Sequence, residues 1–282
     1  MIEISDACDV EAAIDKFAAR GVRAQATMLD PWYNKGVGGV RDDYFDYITG
    51  LLEEVAPFSD HIYLWGFPEI IAHFITRIPS SHKLTAWLTW YYKNNPSVIR
   101  GWRSAQMTCL HMSTPTAKMY PQHFLNEAQL EKQREGKLRY MPGPPSVIEA
   151  ALNIGFVGRK EQTGHPAQKP IAVYKPLIEM VTVEGDLVFD PMCGSGTTGV
   201  CCKQLGRRAV ISDMESKYVT IARQRVEVAE PIKAPIKNAE LMLPMQMPKV
   251  STRKTTTAKN GAAKPTATKG RKPSPAKAAR PL

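Results

Sequence analysis

An α/β fold built on a largely parallel sheet is the class this sequence predicts, and three observations carry the prediction. Strand-like apolar runs alternate with helix-period segments through most of residues 1–230. One such run, DLVFD, leads straight into a glycine-rich turn and a helix start, the entry to a βαβ unit. The 282 residues are 43% hydrophobic and 23% charged, ordinary values for a chain that buries a core in water.

The elements follow in chain order. Residues 5–20, SDACDVEAAIDKFAAR, read as a helix that Ser5 or Asp6 caps and Gly21 ends. VRAQATML reads as a strand that delivers Asp30. DDYFDYITGLLEEVAP carries apolar residues at 45, 48, 51, 52 and 55, a helical stripe. HIYLWG is a strand, PEIIAHFITRI a helix opened by Pro68, and KLTAWLTWYY a further strand. Between about 94 and 165 the alternation falters. NNPSVIRGWRS and YMPGPPS are rich in turn formers, with the strand-like AQMTCLHMS and the polar helix PQHFLNEAQLEKQREG between them. This region reads as an insertion on the rim of the sheet, where target-recognition elements sit. Order returns with QKPIAVYKPLIEMV as a helix and DLVFD as a buried strand. TTGVCCKQLG (helix), RRAVISD (strand) and SKYVTIARQRVEVAE (helix) follow. Residues 231–250 read as a linker.

Composition narrows the function classes. No apolar run approaches 18 residues and the N-terminus MIEISDACDVEAA is acidic, so neither a membrane span nor a signal peptide is expected. The expected compartment is the cytoplasm of a bacterial or phage-infected cell. Cys8, Cys109, Cys193, Cys201 and Cys202 form no C-x-x-C pair and no zinc spacing with the histidines, so no metal is expected. The net charge of +10 comes almost wholly from residues 251–282, which hold nine basic residues and no acid. Removing those nine leaves 28 basic against 27 acidic residues. Such a tail has too few apolar side chains to offset its ordering entropy and is expected to be disordered, either as a solubilising segment or as an electrostatic arm for nucleic acid.

The turn DPMCGSGTTG satisfies G-x-G-x-x-G through Gly194, Gly196 and Gly199, and Asp213 ends the next strand. Taken alone this could bind a dinucleotide. Two features favour S-adenosylmethionine instead. Asp190 and Pro191 precede the glycines, so an acid at the strand tip suits an ammonium group and repels a pyrophosphate. Ser195, Thr197 and Thr198 then offer hydroxyls and amides to a single carboxylate.

FDPMCGSGTTG resembles the cofactor loop of the DNA amino-methyltransferases, GHPAQKP at 164–170 resembles their H-P-x-Q-K-P segment, and LDPWYNKG at 29–36 resembles their Asp-Pro-Pro-Tyr catalytic motif. WYYKNNP at 90–96 is similar to their W-x-K-N-x-P stretch. The order of these motifs is the circularly permuted one of the β group, and the resemblance spans about residues 20–230. It implies a Rossmann-like fold dependent on S-adenosylmethionine, with helices on both faces of the sheet. It also implies a cofactor site formed by Asp190, Pro191, Cys193, Gly194, Ser195, Gly196, Thr197, Thr198 and Asp213, with Gln168 and Lys169 bordering the methionine end. Double-stranded DNA is the implied partner, and relatives that dimerise make a homodimer one implied state.

The chemistry of LDPWYNKG follows from the amine it would serve. An exocyclic amine is a poor nucleophile because its lone pair is delocalised into the base. Acceptors for the amine hydrogens favour a pyramidal nitrogen, and the Asp30 carboxylate and the Pro31 carbonyl are the candidates. Tyr33 is the candidate stacking platform for a base taken out of the duplex. Trp32 stands where the family has a second proline, and it can reshape the pocket. The Asp-first motif leans towards adenine N6 over cytosine N4 by association. Lys93, Arg100, Trp102, Arg103, Arg139 and Tyr140 on the rim suit phosphate and base contacts. A catalytically silent DNA-binding homologue and an RNA methyltransferase remain as alternatives.

Overall fold

The computed structural model describes residues 1–232, apart from 36, 37, 97 and 100 and the side chains of 98 and 99. The tail at 251–282, the linker from 233 onward and Arg100 lie outside the described residues. The chain opens with a three-residue strand that the sequence did not announce, β1 (Ile2–Ile4). Helix α1 (Val10–Ala18) starts at Asp9, whose carboxylate accepts the Ala12 amide at 2.8 Å. The expected start at Ser5 or Asp6 is not used, because the chain there is still extended and the Ser5 amide bonds the Ile211 carbonyl at 3.0 Å.

Strand β2 (Ala24–Leu29), helix α2 (Tyr44–Val55) and strand β3 (Ser59–Gly66) lie where periodicity put them. The helix expected from Pro68 is shorter: α3 (Pro68–Ile71) gives way to a single 3-10 turn over Ala72–Phe74. The β-branched residues Ile70, Ile71, Ile75 and Thr76 and the approaching Pro79 all weaken a longer helix there. Strand β4 (Lys83–Tyr91) is followed by the two-residue hairpin strands β5 (Val98–Ile99) and β6 (Trp102–Arg103). Then come β7 (Gln106–Ser113), α4 (Glu127–Arg134), β8 (Val147–Glu149) and α5 (Ile171–Val181). The last units are β9 (Leu187–Asp190), α6 (Thr197–Leu205), β10 (Arg208–Ile211) and α7 (Ser216–Val228).

The main sheet has the order β1-β10-β9-β2-β3-β7-β4-β8. Among the described residues β7 alone runs against its neighbours β3 and β4, and every other pairing in this sheet is parallel. Within 94–165, read as a rim insertion, Gln106–Ser113 is a strand of the sheet itself. β7 lies between β3 and β4, and Met107–Met112 are all buried. β8, inside a stretch that looked like loop, pairs with β4 at the far edge.

Strand alternation supplies two apolar faces. Ile62, Leu64, Leu110 and Phe189 join Ile14, Phe17, Leu51 and Leu52 from α1 and α2 on one face. Tyr63, Trp65, Cys109 and Val188 join Leu177, Ile178, Cys201 and Ala222 from α5, α6 and α7 on the other. Each fully buried valine, leucine, isoleucine or phenylalanine side chain among these contributes roughly 1.5–3 kcal/mol. The chain leaves β9 towards one face through α6 and leaves β2 towards the other through α2. Since β9 and β2 are paired neighbours, the crevice beyond their carboxyl ends is the topological switch point where ligands bind in such sheets.

Candidate functional site

Two chain turns meet at that crevice. The first follows β9. Gly194 and Gly196 take left-handed φ values of 51° and 78°. A Cβ on Gly196 would lie 2.6 Å from the Ala222 Cβ, so this glycine lets α7 press onto the turn. Asp190 is buried: its carboxylate accepts the Thr198 hydroxyl, and the Met192 amide at 3.1 Å. Burial pushes this carboxyl up to about 7, against the pull of the Thr198 hydrogen bond. Asp213 accepts the Gly194 amide at 2.9 Å and the Glu215 amide at 3.0 Å, fixing the tip of β10 to the turn.

The hydroxyls in the turn are engaged inside it. Thr197 donates to the Lys169 carbonyl at 2.9 Å, and Arg225 reaches the Ser195 carbonyl (2.8 Å), the Ser195 hydroxyl (3.0 Å) and Thr197 (3.0 Å). The groups left for an anion are the first amides of α6, which by helix geometry have no partner within the helix. Arg225 was not foreseen, since an arginine on an amphipathic helix carries no signal of where it folds back. Cys193 and Pro191 are buried in the turn, and burial pushes the Cys193 thiol well up.

The second turn follows β2 and carries Asp30 to Tyr33. Lys169 sends its ammonium to Asp30 Oδ2, and it touches the Tyr33 hydroxyl at 2.9 Å. Tyr174 of α5 donates to the same Oδ2 at 3.4 Å, while Tyr33 donates to Oδ1 at 3.3 Å. Lys169 is 4% exposed. A charge so deep needs its partner, and breaking such a buried pair typically costs about 3–5 kcal/mol. Burial and the Asp30 charge together hold the Tyr33 phenol well above its ordinary range.

Pro31 is buried, and Trp32 turns away from the slot. Its indole packs edge-on to Tyr44 at 5.2 Å and donates to the Gly39 carbonyl at 3.2 Å. Its own carbonyl accepts the Tyr44 hydroxyl at 2.6 Å. Tyr33 points the other way, edge-on to Phe67 at 4.8 Å. It lines a cleft of about 430 Å³ with Phe67, Trp90, Tyr92, Met107 and His165. An aromatic-walled cleft with one carboxylate beside it suits a flat, polar-edged ligand.

H-P-x-Q-K-P organises the wall between the two turns. Gln168 accepts the Thr163 hydroxyl at 2.8 Å and donates to the Glu161 carbonyl at 2.5 Å, so its amide is used to close the 161–168 loop. His165 packs edge-on to Tyr218 at 4.2 Å, and burial lowers its pKa. Lys169, expected to border the cofactor's methionine end, reaches Asp30 with its ammonium and accepts the Thr197 hydroxyl on its carbonyl. WYYKNNP also gains a structural account. Trp90 donates to the Ala150 carbonyl at 2.7 Å, and Asn94 exchanges two hydrogen bonds with Leu152. On the rim, Lys93 pairs with Glu149 at 2.6 Å, and Trp102 and Tyr140 are 84% and 75% exposed. Arg103 and Arg139 are exposed too.

The donor set fits S-adenosylmethionine: helix amides for a carboxylate and an acid at the β10 tip for ribose hydroxyls. The Ser212 hydroxyl, next to that acid, is buried at 1% exposure and has no partner among the described residues. Type II methyltransferase M.HpaI of Haemophilus parainfluenzae is 28% identical over 213 residues, which are 71% of this chain and 67% of that protein. M2.DpnII of Streptococcus pneumoniae is 51% identical over 63 residues, 22% of this chain and 24% of that protein. The fold is shared with the M1.HpyAVI–SAM complex (TM-score 0.63, 22% identity, 81% of this chain and 100% of that one). It is shared as well with the cytosine-N4-specific PvuII DNA methyltransferase (TM-score 0.54, 16% identity, 79% and 87%). The sequence model of the DNA methylases that act on N6 or N4 amines matches residues 40–224, a stretch that takes in the glycine turn and Lys169, and the chain belongs to that family.

Proposed function

We propose that the protein methylates the exocyclic amine of a base taken out of duplex DNA, with adenine N6 as the target. The observation that carries this reading is the Asp30 carboxylate hydrogen-bonded to Tyr33, which lines the aromatic cleft, one strand away from the glycine turn. S-adenosylmethionine, when bound, supplies the electrophilic methyl group. The chain's own residues do the rest. Asp30 and the Pro31 carbonyl accept the amine hydrogens and free the nitrogen lone pair. Tyr33 and its aromatic neighbours take the face of the base, and stacking returns about 1–3 kcal/mol per base against a flipping cost of a few kcal/mol. No strong base is needed after transfer, because the product ammonium sheds its proton readily. Exposed Trp102, Arg103, Arg139 and Tyr140 present aromatic and cationic contacts to the nucleic acid.

The Asp-first motif supports adenine over cytosine. Against a catalytically silent homologue stands the direction of Trp32, whose indole packs on α2 and leaves the cleft open. The test is incubation with methyl-labelled S-adenosylmethionine and either mixed-sequence DNA or RNA, followed by digestion to nucleosides. N6-methyladenine from DNA is the expected product. N4-methylcytosine would move the target to the other base, and label confined to RNA would move it to the other polymer.

A further inference from the structure

Lys169 touches both turns of the site. Its main-chain carbonyl accepts the Thr197 hydroxyl at the start of α6, and its side chain ends on Asp30. Asp30 Oδ2 is taken from the protein side by Lys169 and Tyr174, which leaves Oδ1 with a single 3.3 Å contact from Tyr33 among the described residues. We propose that Lys169 is a positioning residue of the methyl-transfer reaction: it occupies Oδ2 of Asp30, and so presents Oδ1 as the oxygen that accepts the target amine. This deepens the reading above and rests on it.

The surroundings of Asp30 leave Lys169 without a substitute. The groups that face it are Tyr33 on its own turn, Tyr44 of α2, Cys109 of β7, Tyr174 of α5, Asp190 of β9 and His165. Burial keeps the tyrosines and the thiol protonated and neutral at working pH, and it favours the uncharged form of His165. Asp190 is an acid. Lys169 is thus the cation in hydrogen-bond contact with Asp30 among the groups that face it.

The experiment compares full-length wild type with Lys169→Met and Lys169→Arg. In Lys169→Met kcat for methyl transfer should fall by about a hundredfold, the cost of an ångström-scale misplacement, with KM for DNA within about threefold of wild type. Lys169→Arg should recover most of the lost kcat. Affinity for S-adenosylhomocysteine should stay within about threefold in both variants. An unchanged kcat in Lys169→Met overturns the proposal. So does a tenfold loss of S-adenosylhomocysteine affinity with kcat at saturating cofactor unchanged, which makes Lys169 a cofactor contact. A wild type that transfers no methyl to any polymer overturns the methyl-transfer reading and the proposal with it, a result distinct from an active wild type that Lys169→Met matches.

Discussion

Gly196 is where the packing of the cofactor turn can be tested by one methyl group. The residue sits at φ 78°, and an added Cβ would meet the Ala222 Cβ at 2.6 Å and the Ala222 Cα at 2.8 Å. Holding alanine in the left-handed region costs about 1–2 kcal/mol. Forcing a methyl into a filled site costs typically about 1–3 kcal/mol more, and here one of the opposing atoms is backbone, which cannot rotate aside. Gly196→Ala should therefore destabilise the protein by about 2–5 kcal/mol, read as a drop in the denaturant midpoint at unchanged m-value. Gly199→Ala provides the internal comparison. Its Cβ would meet Ile211 Cδ1 and Val226 Cγ2 at 2.8 Å, but both are ends of flexible side chains, and no positive φ is recorded there. It should cost clearly less. A Gly196→Ala protein within about 1 kcal/mol of wild type, or one less damaged than Gly199→Ala, would refute the reasoning.

Three further outcomes are expected. Tyr33→Ala should lower kcat/KM for DNA by about 5- to 150-fold, the equivalent of about 1–3 kcal/mol of stacking, with S-adenosylhomocysteine affinity unchanged; equal activity would remove Tyr33 as a platform. Asp190→Asn tests the buried carboxyl through pH. The folded pKa is raised to about 7, so the stability this group contributes is present at low pH and is lost as pH climbs from the ordinary carboxylate range to about 7. Asp190→Asn should gain about 4 kcal/mol on wild type between about pH 4 and pH 8, since each pH unit between the ordinary and the raised value is worth about 1.4 kcal/mol; parallel stability curves would contradict it. Finally, a protein ending at Val250 lacks nine cationic residues, and its log K against log salt should be shallower by up to about 8 units. An identical slope would make the tail a bystander in DNA binding.

Much of the fold could be read locally. The segments β2–α2–β3 and β9–α6–β10–α7 announce themselves because each helix has a clear apolar stripe and each strand a buried run. What escaped was set by partners far along the chain. β7 has strand composition, but its place between β3 and β4 is a matter of pairing across the sheet. β1 is three residues long and gains its identity from β10.

The site divides in the same way. Asp30, Tyr33 and the glycine turn were visible as motifs, and the sheet order brings them to adjacent strand ends. Lys169 was visible too, but its partner lies 139 positions away, and spacing along a chain cannot show which of two nearby sites a lysine enters. Trp32 looked able to reshape the pocket because its type was known and its direction was not. The side it takes is decided by Tyr44, Tyr47 and Gly39.

The most direct measurement of the central claim is methyl transfer by wild type and Asp30→Ala side by side. Each is given labelled S-adenosylmethionine and DNA, with nucleoside analysis of the product and S-adenosylhomocysteine affinity measured for both. The expected result is N6-methyladenine from wild type, transfer by Asp30→Ala reduced at least about a hundredfold, and equal cofactor-product affinity in the two proteins. Turnover by Asp30→Ala at the wild-type rate, or label on no base from either protein, would contradict the claim.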